Sequence, residues 1–369
     1  MEAKKTIEEE ILACRSEIKL LQQRISKLRE DADTEGEVQP LMTAASGMRV
    51  TTSNRLHLRL RQSLRGHMGK VYAIDWLRDP QQLISVGQDA RLKQWDIRTG
   101  RANGTLRIED HWVMACCASP SGQFVATGGL KSCIFVTQLH VGGQWPQSDS
   151  CQHKKRELVG HESYISSIRF ANPNDDTQVL TCSGDGTIRL WDVPAQAQLC
   201  IFEDHVSDVM DVAVCGTPGL FISGSVDGTV KAWDYRQRPA QACVHTFSSH
   251  ESDVNTVTYF PDGNALASGS DDSTCRLFDM RAQRQLNRFF HPHLVEAVTG
   301  VSFSLRGAYL LSSYDQGCAI AWHTPTGQLA GELTDAHNGH TKRVSKVAVS
   351  PSGGVVATAC WDFVVRAWA

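Results

Sequence analysis

The stretch HESDVNTVTYFPDGNALASGSDDSTCRLFD (250–279) decides the fold. Val254, Val257, Tyr259 and Phe260 suit a pleated, buried surface, and Pro261-Asp262-Gly263 then turns the chain. A second strand-like run follows, then a tight turn, then a third run that closes on Leu277-Phe278-Asp279. One oddity stands out. Asp253 and Asn255, residues depleted in strands, flank the valine that opens the first run.

The same unit recurs along the chain, closing on QWD (94–96), LWD (190–192), AWD (232–234), LFD (277–279), AWH (321–323) and RAW (366–368). Trp95 and Trp368 lie 273 residues apart, so the six intervals average about 45, the length of a four-stranded propeller blade. The interval from Trp95 to Trp191 is double and holds a further unit at 112–137 that lacks the closing Trp-Asp. Turns repeat with the strands, as SPSG and FPDG after the first and GDGT and VDGT after the second. Seven units predict an all-β fold, a seven-bladed β-propeller over 55–369, whose radial repetition leaves only short, protected sheet edges. The last unit stops at its third strand. The alternating Leu56, Leu58 and Leu60 in RLHLRLRQSL (55–64) predict an early strand that supplies the missing outer edge.

Residues 1–34 are of another kind. Ile7, Ile11, Cys14, Ile18, Leu21, Ile25 and Leu28 recur in steps of four and three, the a/d seam of a coiled coil. The expected element is an N-terminal coiled-coil helix with a helical partner on its seam, joined to the repeats by a polar linker over 35–54.

A formal charge of −3 gives no concentrated basic surface for nucleic acid. The twelve cysteines show no C-x-x-C pairing, which argues against a zinc site and a secreted disulfide framework. With no signal sequence recognisable, the expected compartment is the reducing cytosol. No apolar run reaches the length of a membrane span, so membrane contact is expected only through partners. Phosphate-binding loops, nucleotide fingerprints and zinc-protease helices are absent from the sequence, and neither cofactor nor metal is expected.

Serine, histidine and aspartate abound, yet the repeats argue against catalysis. His67, His161, His205, His250 and His340 precede strands, while Asp89, Asp185, Asp227, Asp272 and Asp362 stand six residues before Trp95, Trp191, Trp233, Phe278 and Trp368. A catalytic constellation is needed once, whereas these pairs occur five times and suit hydrogen bonding inside each blade. The second unit holds Glu109 and Lys131 in the His and Asp slots, expected to form a charge-reversed pair; the sixth holds Leu294 and Gln316.

Aligned on the residue that opens each inner strand, the units read Val71, Val113, Ile165, Val209, Val254, Val298 and Val344. The flanking pairs differ completely: Lys70/Tyr72, Trp112/Met114, Tyr164/Ser166, Asp208/Met210, Asp253/Asn255, Ala297/Thr299 and Arg343/Ser345. Strand starts gather around one mouth of a propeller channel, so aromatic and Met anchors among charges predict a protein-binding surface there.

The motifs LRGHMGKVYAIDW (64–76), WVMACCASPSG (112–122), HVSDVMDV (205–212), SGSDDSTCRLFD (268–279) and CWDFVVRAW (360–368) make the chain resemble the β subunits of heterotrimeric G proteins, along nearly its whole length. The resemblance implies a non-catalytic subunit that pairs its N-terminal helix with a small, lipid-modified γ subunit. It implies that the mouth holds the switch region of a GDP-loaded α subunit, and that effectors use the same face after release downstream of a receptor. The family's contact positions fall on Met68, Lys70, Tyr72, Trp112, Met114, Leu130, Tyr164, Asp208, Met210, Asp253, Asn255, Asp271 and Trp361, with Arg343 also matching. Ser132 takes a contact position where the family usually has a longer amide. The implied location is the cytoplasmic face of the plasma membrane, reached through lipidated partners. The insertions at 140–157 and 335–343 mark a divergent member. The alternative is another WD-repeat scaffold, such as a ubiquitin-ligase substrate receptor or a ribosome-associated adaptor.

Overall fold

Each inner strand begins on the β-branched residue that the repeat alignment picks out. In the computed structural model these strands are β2 (Val71–Trp76), β6 (Val113–Ala118), β10 (Ile165–Asn172), β14 (Val209–Val214), β18 (Val254–Tyr259), β22 (Val298–Phe303) and β26 (Val344–Val349). All seven opening residues have no solvent exposure, as side chains wedged between neighbouring sheets must. The structure describes residues 56–139, 155–292, 294–333 and 339–369. The heptad positions Ile7 to Leu28, the linker, most of the insertion at 140–157 and residues 335–338 of the second insertion lie outside the described residues.

The described strands number β1 to β28 in chain order and form seven four-stranded antiparallel sheets. Six are simple meanders, such as β2-β3-β4-β5 in the first blade and β6-β7-β8-β9 in the second. The seventh runs β26, β27 (Val356–Cys360), β28 (Val364–Trp368), then β1 (Leu60–Arg65) from the start of the chain. The early strand thus closes the ring as its alternation predicts, with Leu64 opposite Val365. Regular pairing starts later than expected, at Leu60. Ahead of it Leu56 donates its amide to Ala330 of the sixth blade at 2.7 Å, and Leu56, Leu58 and Leu60 pack against the core that the sixth and seventh blades share.

Burial follows the blades. Each cluster of core residues draws on two neighbouring sheets, for example Ile84 and Leu92 of the first blade with Val113 and Phe135 of the second. The closing seam is built the same way, from Leu64, Ala357 and Val365 against Ile74 and Trp95. Trp95, Trp191, Trp233, Trp322 and Trp368 are the bulkiest fully buried side chains. Gly263 in the FPDG turn has φ 76°, a left-handed conformation that a Cβ would strain. Ten cysteines among the described residues are free thiols, and no helix among those residues is long and apolar enough to cross a membrane.

Candidate functional site

The five His–Asp pairs form as expected and belong to the blades. In the first, Trp95 Nε1 donates to Ser85 Oγ at 2.7 Å, Ser85 Oγ meets His67 Nε2 at 2.7 Å, and His67 Nδ1 meets Asp89 at 2.9 Å. His161 and His205 repeat this with Thr181 and Ser223 beneath Trp191 and Trp233, while His250 meets Ser268 beside Phe278, which has no indole N–H to donate. Burial on its own would raise the Asp185 carboxyl. Hydrogen bonds from His161, the Glu162 amide and Thr187 outweigh it and hold the group well below the usual range. Asp227, Asp272 and Asp362 are lowered in the same manner. Burial pushes His161 and His340 down, against the opposing effect of their aspartates.

Two blades solve the problem differently. The charge-reversed pair expected of Glu109 and Lys131 does not form. Glu109 instead reaches Lys155 of the outer strand at 2.8 Å, while Lys131 lies 3.9 Å from Glu157. The neighbouring Asp110, buried, takes the amides of Trp112 and Lys131 and so does the turn-holding work of the missing aspartate. In the sixth blade Tyr314 replaces the histidine. Its buried hydroxyl accepts from Ser312 Oγ at 3.1 Å, and Ser312 also accepts from Trp322 Nε1.

A β-bulge builds the mouth. In every blade the pairing of the first two strands skips a residue immediately after the opening valine or isoleucine. The skipped residues are Tyr72, Met114, Ser166, Met210, Asn255, Thr299 and Ser345, and all seven line a central cavity of about 180 Å³. A bulge re-aims one side chain without ending the strand, and here it aims seven of them into the channel. The residue before each opening position keeps a second neighbour. Its carbonyl accepts an amide from the facing turn: Lys70 from Gln88, Trp112 from Leu130, Tyr164 from Gly184, Asp208 from Val226, Asp253 from Asp271, Ala297 from Asp315 and Arg343 from Trp361. Leu130, Asp271 and Trp361 therefore occupy one slot in three blades, beside the strand starts. Ser132 follows in the same turn as Leu130, and Met68 sits one residue after His67 with its amide on Asp89.

Side chains around the mouth divide by character. Met68 is 81% exposed, Trp112 41% and Leu130 47%, which makes the first two blades its apolar sector. At the seam of the seventh and first blades, Lys70 Nζ lies 3.8 Å and the Arg343 guanidinium 5.1 Å from the Trp361 ring, with Tyr72 edge-on to it at 5.9 Å. Trp361 Nε1 is buried there and has no hydrogen-bond partner among the described residues. Across the channel the sector is acidic. Tyr164 donates to Asp208 at 2.7 Å, and Asn255 Nδ2 donates to Asp271 at 2.5 Å. Burial, reinforced by that carboxylate, raises the Tyr164 hydroxyl well above its usual range.

Several channel residues also hold the ring together. Ser166, Asn255, Thr299 and Ser345 donate to the carbonyls of Val209, Val298, Val344 and Val71, in each case the opening residue of the next blade. Asn255 therefore spends both amide protons inside the protein, and only its carbonyl oxygen is left for a partner. Tyr72, Met114 and Met210 make no such backbone bond among the described residues; Tyr72 packs edge-on against Trp361 and Met210 Sδ accepts a weak contact from Tyr164 at 3.8 Å.

A charged bridge lies one residue further along the inner strands. The next position reads Ala73, Ala115, Ser167, Asp211, Thr256, Gly300 and Lys346, and its one aspartate and one lysine meet across the channel at 2.8 Å. Asp211 is 1% exposed and also accepts from Ser167 Oγ at 2.7 Å and Thr256 Oγ1 at 3.0 Å. Burial raises its pKa, but Lys346 and Arg169 outweigh that and leave it lowered. The charges at this aligned position were the signal.

Among the described residues one group of His, Cys and acidic side chains clusters closely enough to ligate a metal: His340, Cys360 and Asp362. Arg366 Nη1 lies 2.5 Å from His340 Nδ1 and 2.7 Å from Asp362. A guanidinium already supplies the positive charge there, so the cluster fits blade packing and not a cofactor site.

Known proteins place this architecture. A family profile described as G protein beta WD-40 repeat protein matches residues 9–369. The guanine nucleotide-binding protein G(I)/G(S)/G(T) subunit beta-1 of Homarus americanus is 40% identical over 96% of this chain and 98% of its own. Subunit beta-1 of Nicotiana tabacum is 36% identical over 83% of this chain and 82% of its own. The subunit beta of Zea mays is 34% identical over 84% and 82%. These matches favour the first of the two functions weighed from the sequence over a different WD-repeat scaffold. A seven-bladed propeller with this mouth, matched over nearly its full length, belongs to the family of heterotrimeric G-protein β subunits.

Proposed function

We propose that this chain pairs with a γ subunit through the heptad positions of residues 1–34 and receives a GDP-loaded α subunit at the channel mouth. The observation that carries the proposal is the division of the mouth into sectors. Exposed Met68, Trp112 and Leu130 offer apolar anchors, the Lys70–Trp361–Arg343 stack offers cations, and Asp208, Asp253 and Asp271 offer carboxylates. Such a surface selects a partner with complementary charges on either side of an apolar centre, and mismatched charge there disfavours other partners. Tyr72, Met114 and Met210 complete the contact from inside the channel.

The subunit acts by binding. When GTP reshapes the α subunit's contacting segment, complementarity is lost, α departs, and the vacated mouth becomes the docking face for effectors. The chain itself carries out no reaction and needs no cofactor, and it reaches the cytoplasmic face of the plasma membrane through lipid on its partners. The testing experiment is co-expression with γ subunits and titration of the dimer with an α subunit loaded with GDP or a non-hydrolysable GTP analogue. Binding is expected with GDP and is expected to weaken at least tenfold with the analogue. Equal affinity in both states overturns the proposal.

A further inference from the structure

Every blade turns from its second strand to its third through a residue in the left-handed region: Ala90 (φ 57°), Ser132 (58°), Gly186 (77°), Gly228 (77°), Ser273 (65°), Gly317 (93°) and Phe363 (72°). A side chain in this conformation crowds its own backbone, and the crowding is least for Gly and worst for bulky residues. Six blades accordingly use Gly, Ala or Ser. The seventh places a phenyl ring in the strained slot, and 40% of that residue faces solvent. The turn does not need the ring, because six blades make it without one, and the core leaves much of the ring uncovered. Strained conformations held by the surrounding fold concentrate at functional positions.

The slot's surroundings define what the ring meets. A Cβ on Gly186 would face the carbonyls of His205 and Ser207 in the next blade; on Gly228 it would face those of His250 and Ser252, and on Gly317 those of His340 and Lys342. By the same rule Phe363 backs onto the segment from His67 to Gly69 of the first blade, which carries the exposed Met68. The Lys70–Trp361 contact shows that these two blades do meet at the mouth. Lys342 holds its ammonium 5.7 Å from the Phe363 ring centroid, and among the described residues no carboxylate lies within ion-pair distance of it. Ser132, at the equivalent turn of the second blade, is one of the positions expected to touch the α subunit.

We propose that Phe363 and Met68 form an apolar step at the seam of the seventh and first blades, which takes an apolar side chain of the GDP-bound α subunit with an acidic side chain beside it for Lys342. This inference rests on the mouth reading of the previous section and extends the contact outward, past Trp361. It makes Phe363 a determinant of which α subunit this chain accepts.

The test uses the full chain in its γ dimer and measures affinity for GDP-loaded α subunit. Phe363→Ser installs the residue that the second and fifth blades use at this turn, so the blade is expected to fold and γ pairing to persist. Affinity is expected to fall roughly tenfold, as for other buried aromatic anchors, and Phe363→Leu, which keeps an apolar side chain, is expected to lose less than threefold. In the wild-type dimer, amides of residues 360–365 are expected to gain protection from hydrogen exchange when α binds. Unchanged affinity in Phe363→Ser, or absence of that protection, overturns the inference. If Trp112→Ala weakens binding while Phe363→Ser does not, the mouth reading survives and only the step fails. If neither weakens it, the mouth reading itself fails.

Discussion

The ammonium of Lys70 stands over the ring of Trp361, 3.8 Å from its centroid, across the seam where the first blade meets the last. Arg343 and Tyr72 pack around the same ring. One indole therefore organises two cations and an aromatic edge at the mouth, although these residues come from opposite ends of the repeat array. Trp361→Ala is expected to weaken α binding by about 1–4 kcal/mol, since it removes the platform along with the ring. Lys70→Ala, which loses a single cation–π contact on the protein side, is expected to cost less. Titration of the γ dimer with GDP-loaded α subunit checks both, and an equal or reversed order contradicts the geometry.

Asn255 and Met210 occupy the same bulge position in neighbouring blades but have different duties. Asn255 ties its blade to the next through Val298, whereas Met210 bonds to no backbone group. Asn255→Ala is expected to lower stability by about 1 kcal/mol, the net worth of a typical hydrogen bond, as well as affecting binding. Met210→Ala is expected to weaken binding while leaving the thermal midpoint within about 1 °C of wild type. Calorimetry beside the binding titration separates the two.

Asp211 and Lys346 join the fourth and seventh blades through the channel. Asp211→Ala is expected to cost about 3–5 kcal/mol, because it strands a half-buried ammonium. Pairing Asp211→Leu with Lys346→Met is expected to recover part of that loss, since it removes the stranded ammonium while Ser167, Thr256 and Arg169 still lose the carboxylate they share. Denaturant unfolding of the dimer measures this. A double variant as unstable as the single one contradicts it.

Acid is expected to destabilise the propeller in two stages. His161 and His340 are pushed below the ordinary histidine range by burial, so the unfolded chain binds more protons near pH 6 and stability declines as pH falls below about 6.5. Asp185, Asp227, Asp272 and Asp362 are held low in the folded state. Their contribution is full above the unfolded carboxylate range near pH 4 and is lost as pH falls below it. Thermal midpoints measured from pH 8 to pH 3 are expected to fall gently at first and steeply below about 4. A midpoint that rises on acidification contradicts the assignment.

Much of this was legible in the sequence because the repeats supply seven parallel readings of each position. The opening valines, the His–Asp pairs and the strand closing the ring follow from period, alternation and turn residues. What escaped depends on neighbours distant in the chain. The staple from Ser345 to Val71 spans the ring closure, and the pairing of Glu109 with Lys155 involves a strand that returns only after the insertion. Tyr314 in the sixth blade was hidden because it reaches the histidine's place from another strand. Asn255 first suggested a residue reserved for a partner. Its amide protons serve the ring, and variation at a mouth position thus reflects stapling as well as recognition.

The most direct measurement of the central claim is the affinity of the γ dimer for α subunit, in its GDP and GTP-analogue states, with and without the paired substitutions Trp112→Ala and Lys70→Ala. The wild-type dimer is expected to bind the GDP form tightly and the analogue form at least tenfold more weakly, and the paired variant to lose at least a further tenfold against the GDP form. Binding that ignores both the nucleotide and the mouth substitutions contradicts the account.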